Sequence, residues 1–248
     1  MKFFSLKGIL VGVLMTNFFA FSSVFDYKRE NSKKINEISD SKKQENRLSA
    51  LFKAIRQHNN NFVKFSLLTK ENLDKRKEMN EQNNPGNGKY GVAIDFLQLY
   101  GMDNNTLIDV NSKDERGYTP IVVAIESQNN EILEYLIKNG ANLREKHPLF
   151  GRSVLNVACY YENKEAVEML LSANPKLINE QSGTDGWTAL QDATLKANID
   201  IIKFLLKKGA NPQLKDYSGG TALDMATEFG KGQIVKLFRD NIKANRGY

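Results

Sequence analysis

The 248-residue sequence predicts an all-α fold, a solenoid of stacked helical repeats. Three observations carry that expectation. Four consecutive segments are self-similar: the hydroxyl residues Thr119, Ser153, Thr188 and Thr221 recur after 34, 35 and 33 positions. Behind each comes a small residue at the same offset, Ala124, Ala158, Ala193 and Ala226, and then an apolar set such as Ile132-Leu133 with Leu136-Ile137, or Ile201-Ile202 with Leu205-Leu206. Gly140 and Gly209 close the apolar runs of two units, where a left-handed C-cap is wanted. A unit of this size cannot bury its own apolar face, so stacking several of them is what makes a core.

Taken in chain order, residues 1–22 read as a secretory signal peptide. Lys2 and Lys7 lie in a start without acids, the run Gly8 to Met15 is apolar, and Ala20 and Ser22 are small enough to suit cleavage after Ser22. An uncleaved N-terminal anchor is the competing reading. Residues 23–47 are a polar tether, in which Tyr27 to Arg47 has only Ile35 and Ile38 to bury. Residues 48–112 hold degenerate repeat material: Ala50-Leu51, Ala54-Ile55, Phe62-Val63 and Leu67-Leu68 fit one unit, and Tyr90 to Tyr100 fits the second helix of another. Between them Asp74 to Lys89, with Asn83-Asn84-Pro85-Gly86-Asn87-Gly88, reads as a loop. The clear units are 113–147, 148–182, 183–215 and a C-terminal capping unit, 216–248. In each of them the opening Thr or Ser is placed to satisfy free N–H groups at a helix start, and Pro120 sits where its missing N–H costs nothing.

With Gly117-Tyr-Thr-Pro-Ile121 and Ala124, Gly186-Trp-Thr-Ala-Leu190 and Ala193, and the closing Gly140-Ala-Asn142 and Gly209-Ala-Asn211, the chain resembles the ankyrin-repeat family. The resemblance implies an ankyrin-repeat solenoid of paired antiparallel helices with β-turn hairpins, with about four clear repeats plus one or two degraded N-terminal ones. It also implies that a partner protein sits on the concave face made by the hairpin tips and first helices. Carried over position by position, that face holds Arg116, Tyr118, Phe150, Arg152, Tyr161, Asp185, Trp187 and Tyr217. Aromatic and Arg residues dominate protein-binding hot spots. The opposing reading packs some of the rings, Tyr160 and Phe229 above all, between adjacent repeats. The family's usual His after Thr-Pro-Leu is replaced by Val122, Asn156, Gln191 and Asp224, and Val122 cannot keep the polar network. Lys146 to Phe150 reads as an insertion that lengthens one hairpin, either a reaching finger or a tolerated surface change.

Composition argues against most catalytic chemistry. Two histidines and one cysteine leave little for disulfide scaffolds, Cys/His zinc sites or His-based acid–base work. Cys159 stands where a small buried residue belongs, and neither His58 nor His147 has a motif around it. The net charge of +6, which falls to +4 without Lys2 and Lys7, does not suggest nucleic acid. The expectation is a non-enzymatic, monomeric protein with no cofactor and no metal, exported to a bacterial periplasm or envelope, binding another protein and touching the membrane only through an uncleaved leader. Two alternatives accompany it: an inhibitor or immunity factor blocking an envelope enzyme or toxin, and, from the resemblance to some exported bacterial ankyrin proteins, an accessory that protects a periplasmic peroxidase or catalase.

Overall fold

The structure, a computed structural model, describes residues 42–67 and 108–246. The expected leader, most of the tether, the loop at 74–89 and the helix at 90–100 lie outside the described residues. The chain divides into two compact units, 1–46 and 47–248. Of the first only 42–46 is described, as helix. The second holds the repeat array.

Helix pairs recur along it: α1 (47–56) with α2 (Asn60–Ser66), α3 (Pro120–Glu126) with α4 (Asn130–Lys138), α5 (Val154–Tyr160) with α6 (Lys164–Ala173), α7 (Ala189–Lys196) with α8 (Ile199–Lys207), and α9 (Ala222–Glu228) with α10 (Gly232–Arg246). A 3-10 turn, Pro175–Asn179, comes after α6. The first helices α3, α5, α7 and α9 form one layer and the second helices α2, α4, α6, α8 and α10 the other, each packed on its neighbour. The alanines expected to permit close approach, Ala124, Ala158, Ala193 and Ala226, are fully buried.

Two local devices build the pairs. The turn between the helices needs a left-handed residue, supplied by His58 (φ 55), Gln128 (φ 54), Glu162 (φ 57), Ala197 (φ 56) and Gly230 (φ 65). In four pairs the second helix is capped by an asparagine: Asn59, Asn129, Asn163 and Asn198 accept from the backbone N–H of Phe62, Ile132, Ala166 and Ile201. The first helices are capped by Ser153, Thr188 and Thr221 as the sequence predicts. Thr119 departs from that expectation. Its hydroxyl makes no cap bond and is buried without a partner, and the apolar Val122, three positions on, offers it no side-chain group.

The pair before residue 68 and the pair after residue 108 are direct neighbours in the stack. Helix α2 packs on α4, the Asn129 amide donates to Ile55 O at 3.0 Å and Asn60 Oδ1 at 2.8 Å, and Tyr135 OH donates to Lys64 O at 3.2 Å. Leu67 and Ile108 form a parallel bridge.

Candidate functional site

Each clear unit opens with a hairpin, and the hairpins stand in a row beside the first helices. Two close with one residue fewer than the others: Asp114 N donates to Tyr118 O and Asp216 N to Gly220 O, whereas His147 N donates to Arg152 O and Ser182 N to Trp187 O. The row is stitched by backbone, with Gly183 N donating to Gly151 O at 2.9 Å and Tyr217 N to Asp185 O at 3.0 Å. Side chains add to it: Thr184 Oγ1 donates to Phe150 O, and Gln181 Nε2 donates to Lys215 O. The tips are therefore held in fixed relation to one another.

The stretch Lys146 to Phe150, read from sequence as an insertion that lengthens one hairpin, is a compact loop folded around a buried histidine. His147 is 2% exposed. Its Nδ1 accepts from the backbone N–H of Leu149 at 3.2 Å and Phe150 at 3.3 Å, which leaves the proton on Nε2 to be donated to Glu126 Oε1 at 2.8 Å. Its ring stacks on Phe150 at 4.7 Å and meets Tyr118 edge-on at 5.3 Å. The result presents Leu149 and Phe150, 65% and 51% exposed, at a rigid apex.

Beside that apex lies a cluster centred on Arg152. Its guanidinium carbon is 5.7 Å from the Phe150 ring centroid, 5.2 Å from Tyr160 and 5.5 Å from Trp187. Below it, Nε lies 3.0 Å from Oδ1 of the fully buried Asp192. The two atoms are not aligned as a hydrogen bond, so the attraction is Coulombic. Asn156 Nδ2 donates to Asp192 Oδ2 at 2.9 Å and to Trp187 O at 2.9 Å. Burial pushes the Asp192 carboxyl up to about 7, against the opposing pull of Arg152 and Asn156. Lys196 from α7 sits with its ammonium 4.0 Å from the Tyr160 centroid.

Of the eight residues expected to bind a partner, the structure gathers Phe150, Arg152 and Trp187 into this cluster. Tyr217 stands apart on the last hairpin, 66% exposed, its ring lying over Gly186 so closely that a Cβ there would meet it at 2.6 Å. Arg116 is exposed, paired with Asp114 and set over the Tyr118 ring at 5.2 Å. Tyr118, in contrast to its expected place on the strip, is 8% exposed, and burial pushes its hydroxyl pKa up. Tyr161 is half-buried, with its hydroxyl 3.5 Å from Glu126 Oε1. Asp185 is half-buried and braces its own hairpin, accepting from Ser182 Oγ and from Trp187 N at 3.0 Å. Of the two rings that sequence could also place between repeats, Tyr160 is half-buried in the Arg152 cluster and Phe229 is 48% exposed.

Sequence reasoning missed His147 as a hub, because its partner Glu126 lies 21 positions earlier, at the end of α3. It also missed Asp192, although a signal was there: the aligned column otherwise holds Val123, Val157 and Met225. The Cys159 thiol is buried, and burial pushes its pKa well up, which suits an inert core position. Among the described residues no group of His, Cys, Asp and Glu could hold a metal, and no helix is long and apolar enough to cross a membrane.

A family model described as ankyrin repeats (3 copies) matches residues 87–181 and 155–247. The chain is 29% identical over 160 residues to an ankyrin repeat protein of Fowlpox virus, covering 62% of this chain and 45% of that one. It is 25% identical over 138 residues to a tyrosine-protein kinase of Hydra vulgaris, covering 56% of this chain and 18% of the kinase. With ankyrin repeat and SOCS box protein 11 of Homo sapiens it shares 29% over 124 residues, covering 49% and 36%. The chain thus spans less than half the length of each of these relatives.

Proposed function

The chain belongs to the ankyrin-repeat family, and from that premise we propose that it is an exported binding module whose hairpin tips and first helices hold a partner protein in a bacterial periplasm or envelope. Ankyrin repeats are generally protein-interaction modules and not catalysts. One observation carries the choice of face. Among the described residues the large apolar side chains that remain exposed are Leu149, Phe150, Tyr217 and Phe229, and all four come from hairpins or from the end of a first helix. The second helices turn charged residues outward instead, among them Glu134, Lys138, Glu165, Glu168, Lys203 and Lys207. Exposed large apolar side chains confined to one row of hairpins and first-helix ends, opposite a charged layer, favour that row as the interaction face. Lys2, Lys7, the apolar run and the small residues before Ser23 support export.

The test is crosslinking and capture from the envelope fraction of the source cell, comparing the native chain with a Phe150→Ala/Tyr217→Ala variant. Both rings are exposed, so folding should survive their loss. Captured partner is expected to fall by about tenfold or more, corresponding to ~1.4 kcal/mol of binding energy. Unchanged capture by a variant with a native circular dichroism spectrum sinks the assignment of the face. Tagged chains with and without residues 1–22, subjected to fractionation, test export. A blocking role against an envelope enzyme or toxin is the second reading, favoured by the apex placement of Leu149 and Phe150. A captured partner whose activity falls on binding selects it.

A further inference from the structure

The Arg152 cluster has features that packing alone does not require. Its guanidinium is walled by three rings, Phe150, Tyr160 and Trp187, so its plane is fixed before any partner arrives. Its Nε faces Asp192, which compensates the charge from below and, being fully buried, offers no acceptor to solvent. The two terminal Nη groups make no hydrogen bond among the described residues. Lys196 brings a second cation to the Tyr160 ring, its ammonium 4.0 Å from the centroid, and no carboxylate lies within ion-pair distance of that ammonium among those residues. Glu126, the nearest acid on the preceding first helix, is already bonded to His147 and near Tyr161 OH. The corner therefore has two cations over one ring, free N–H donors in a planar fork, and an apolar apex at Leu149 and Phe150 beside them.

Resting on the reading that this face binds protein, we propose that Arg152, walled by Phe150, Tyr160 and Trp187 and flanked by Lys196, is the receptor for a carboxylate side chain of the partner, an Asp or Glu set beside an apolar residue. A planar guanidinium with its outer donors free matches a carboxylate bidentately, which a lysine cannot do. Because the rings already hold the side chain, little rotamer entropy is lost on binding. The adjoining apolar residue covers Leu149 and Phe150. Lys196 adds a longer-range attraction that salt weakens.

A phage-displayed library of random dodecapeptides, selected on the full chain, tests this without knowledge of the natural partner. The peptides that emerge are expected to be enriched in Asp or Glu next to an apolar residue, relative to the unselected library. Synthetic copies, titrated against the fluorescence of Trp187, the single tryptophan of the chain, should lose about tenfold in affinity when that Glu becomes Gln and when the protein carries Arg152→Lys, which keeps charge but not the fork. Lys196→Gln, on a separate helix, should cost a smaller factor and reduce the salt dependence. Selected peptides without acidic enrichment, or indifferent to both Arg152→Lys and Lys196→Gln, overturn the carboxylate receptor. If such peptides still lose binding to Phe150→Ala, the protein-binding face stands and only its chemistry is wrong. Peptides indifferent to every substitution on this face, or no selection at all, sink both readings.

Discussion

At the residue scale, Asp192 is the most costly choice in the array. An acid in a column of Val123, Val157 and Met225 loses its water, and what it regains is one amide donor from Asn156 and the nearby charge of Arg152. Desolvation wins, since the carboxyl is pushed up to about 7 from its ordinary 3.8. The native protein therefore holds a proton between those two values that the unfolded chain has released. Its contribution to stability is complete below about pH 4 and is lost as pH rises through 7. Asp192→Asn keeps the shape and the proton-independent hydrogen bonds while removing the ionisation. The variant is expected to gain on the native protein between pH 5 and pH 8, by on the order of a few kcal/mol given 1.36 kcal/mol per pKa unit. Urea midpoints of both proteins at the two pH values measure it; parallel pH profiles would show that Arg152 fully compensates the buried charge.

At the element scale, the third residue of each first helix decides how well neighbouring units are joined. Asn156 accepts from the Ser153 hydroxyl and donates across to Trp187 O. Gln191 does the same with Thr188, Gly220 O and Asp216, and Asp224 closes a capping box with Thr221. Val122 can do neither, and Thr119 is left with an orphan hydroxyl. Val122→Asn is expected to stabilise by about 1 kcal/mol, because it satisfies Thr119 and reaches Arg152 O, which already occupies the place that Trp187 O takes for Asn156. A lower urea midpoint for this variant would show that the polar bridge does not transfer to the first clear unit. Much of this was legible in the sequence. The Thr and Ser caps, the Pro120 start and the missing network at Val122 are local features, readable from spacing. The asparagine caps at 129, 163 and 198 recur at repeat spacing and were readable too. The left-handed turns at Gln128, Glu162 and Ala197 were not, because those residues carry no glycine signal and are forced there by the packing of the two helices. Nor was the loop around His147, whose conformation depends on Glu126, distant in sequence at the end of α3.

At the scale of the whole molecule, a stack in which each unit touches only its neighbours has a stability that is a sum of unit terms and interface terms. The site lies across one such interface: Phe150, Arg152 and Tyr160 belong to one unit, and Trp187, Asp192 and Lys196 to the next. Its geometry is therefore only as good as the coupling between α5 and α7. Asn156 supplies the polar part of that coupling, so removing it should do more than lower stability. Asn156→Ala leaves the Ser153 hydroxyl, Trp187 O and Asp192 Oδ2 each short of a partner, a loss of about 2 kcal/mol concentrated at one junction. The part of the array beyond that junction, α7 to α10, should then unfold at lower urea than the part before it. Trp187 reports that half by fluorescence, and far-ultraviolet circular dichroism reports all the helices. The two curves are expected to coincide in the native protein and to separate in Asn156→Ala, with the Trp187 signal lost first. Asp224→Ala, which removes a capping box from the last pair without touching the junction, should lower the midpoint and leave the curves together. Coincident curves in Asn156→Ala would mean that apolar packing between α5 and α7 couples the units by itself, and that the polar bridge serves to orient Trp187 and Asp192 beneath Arg152.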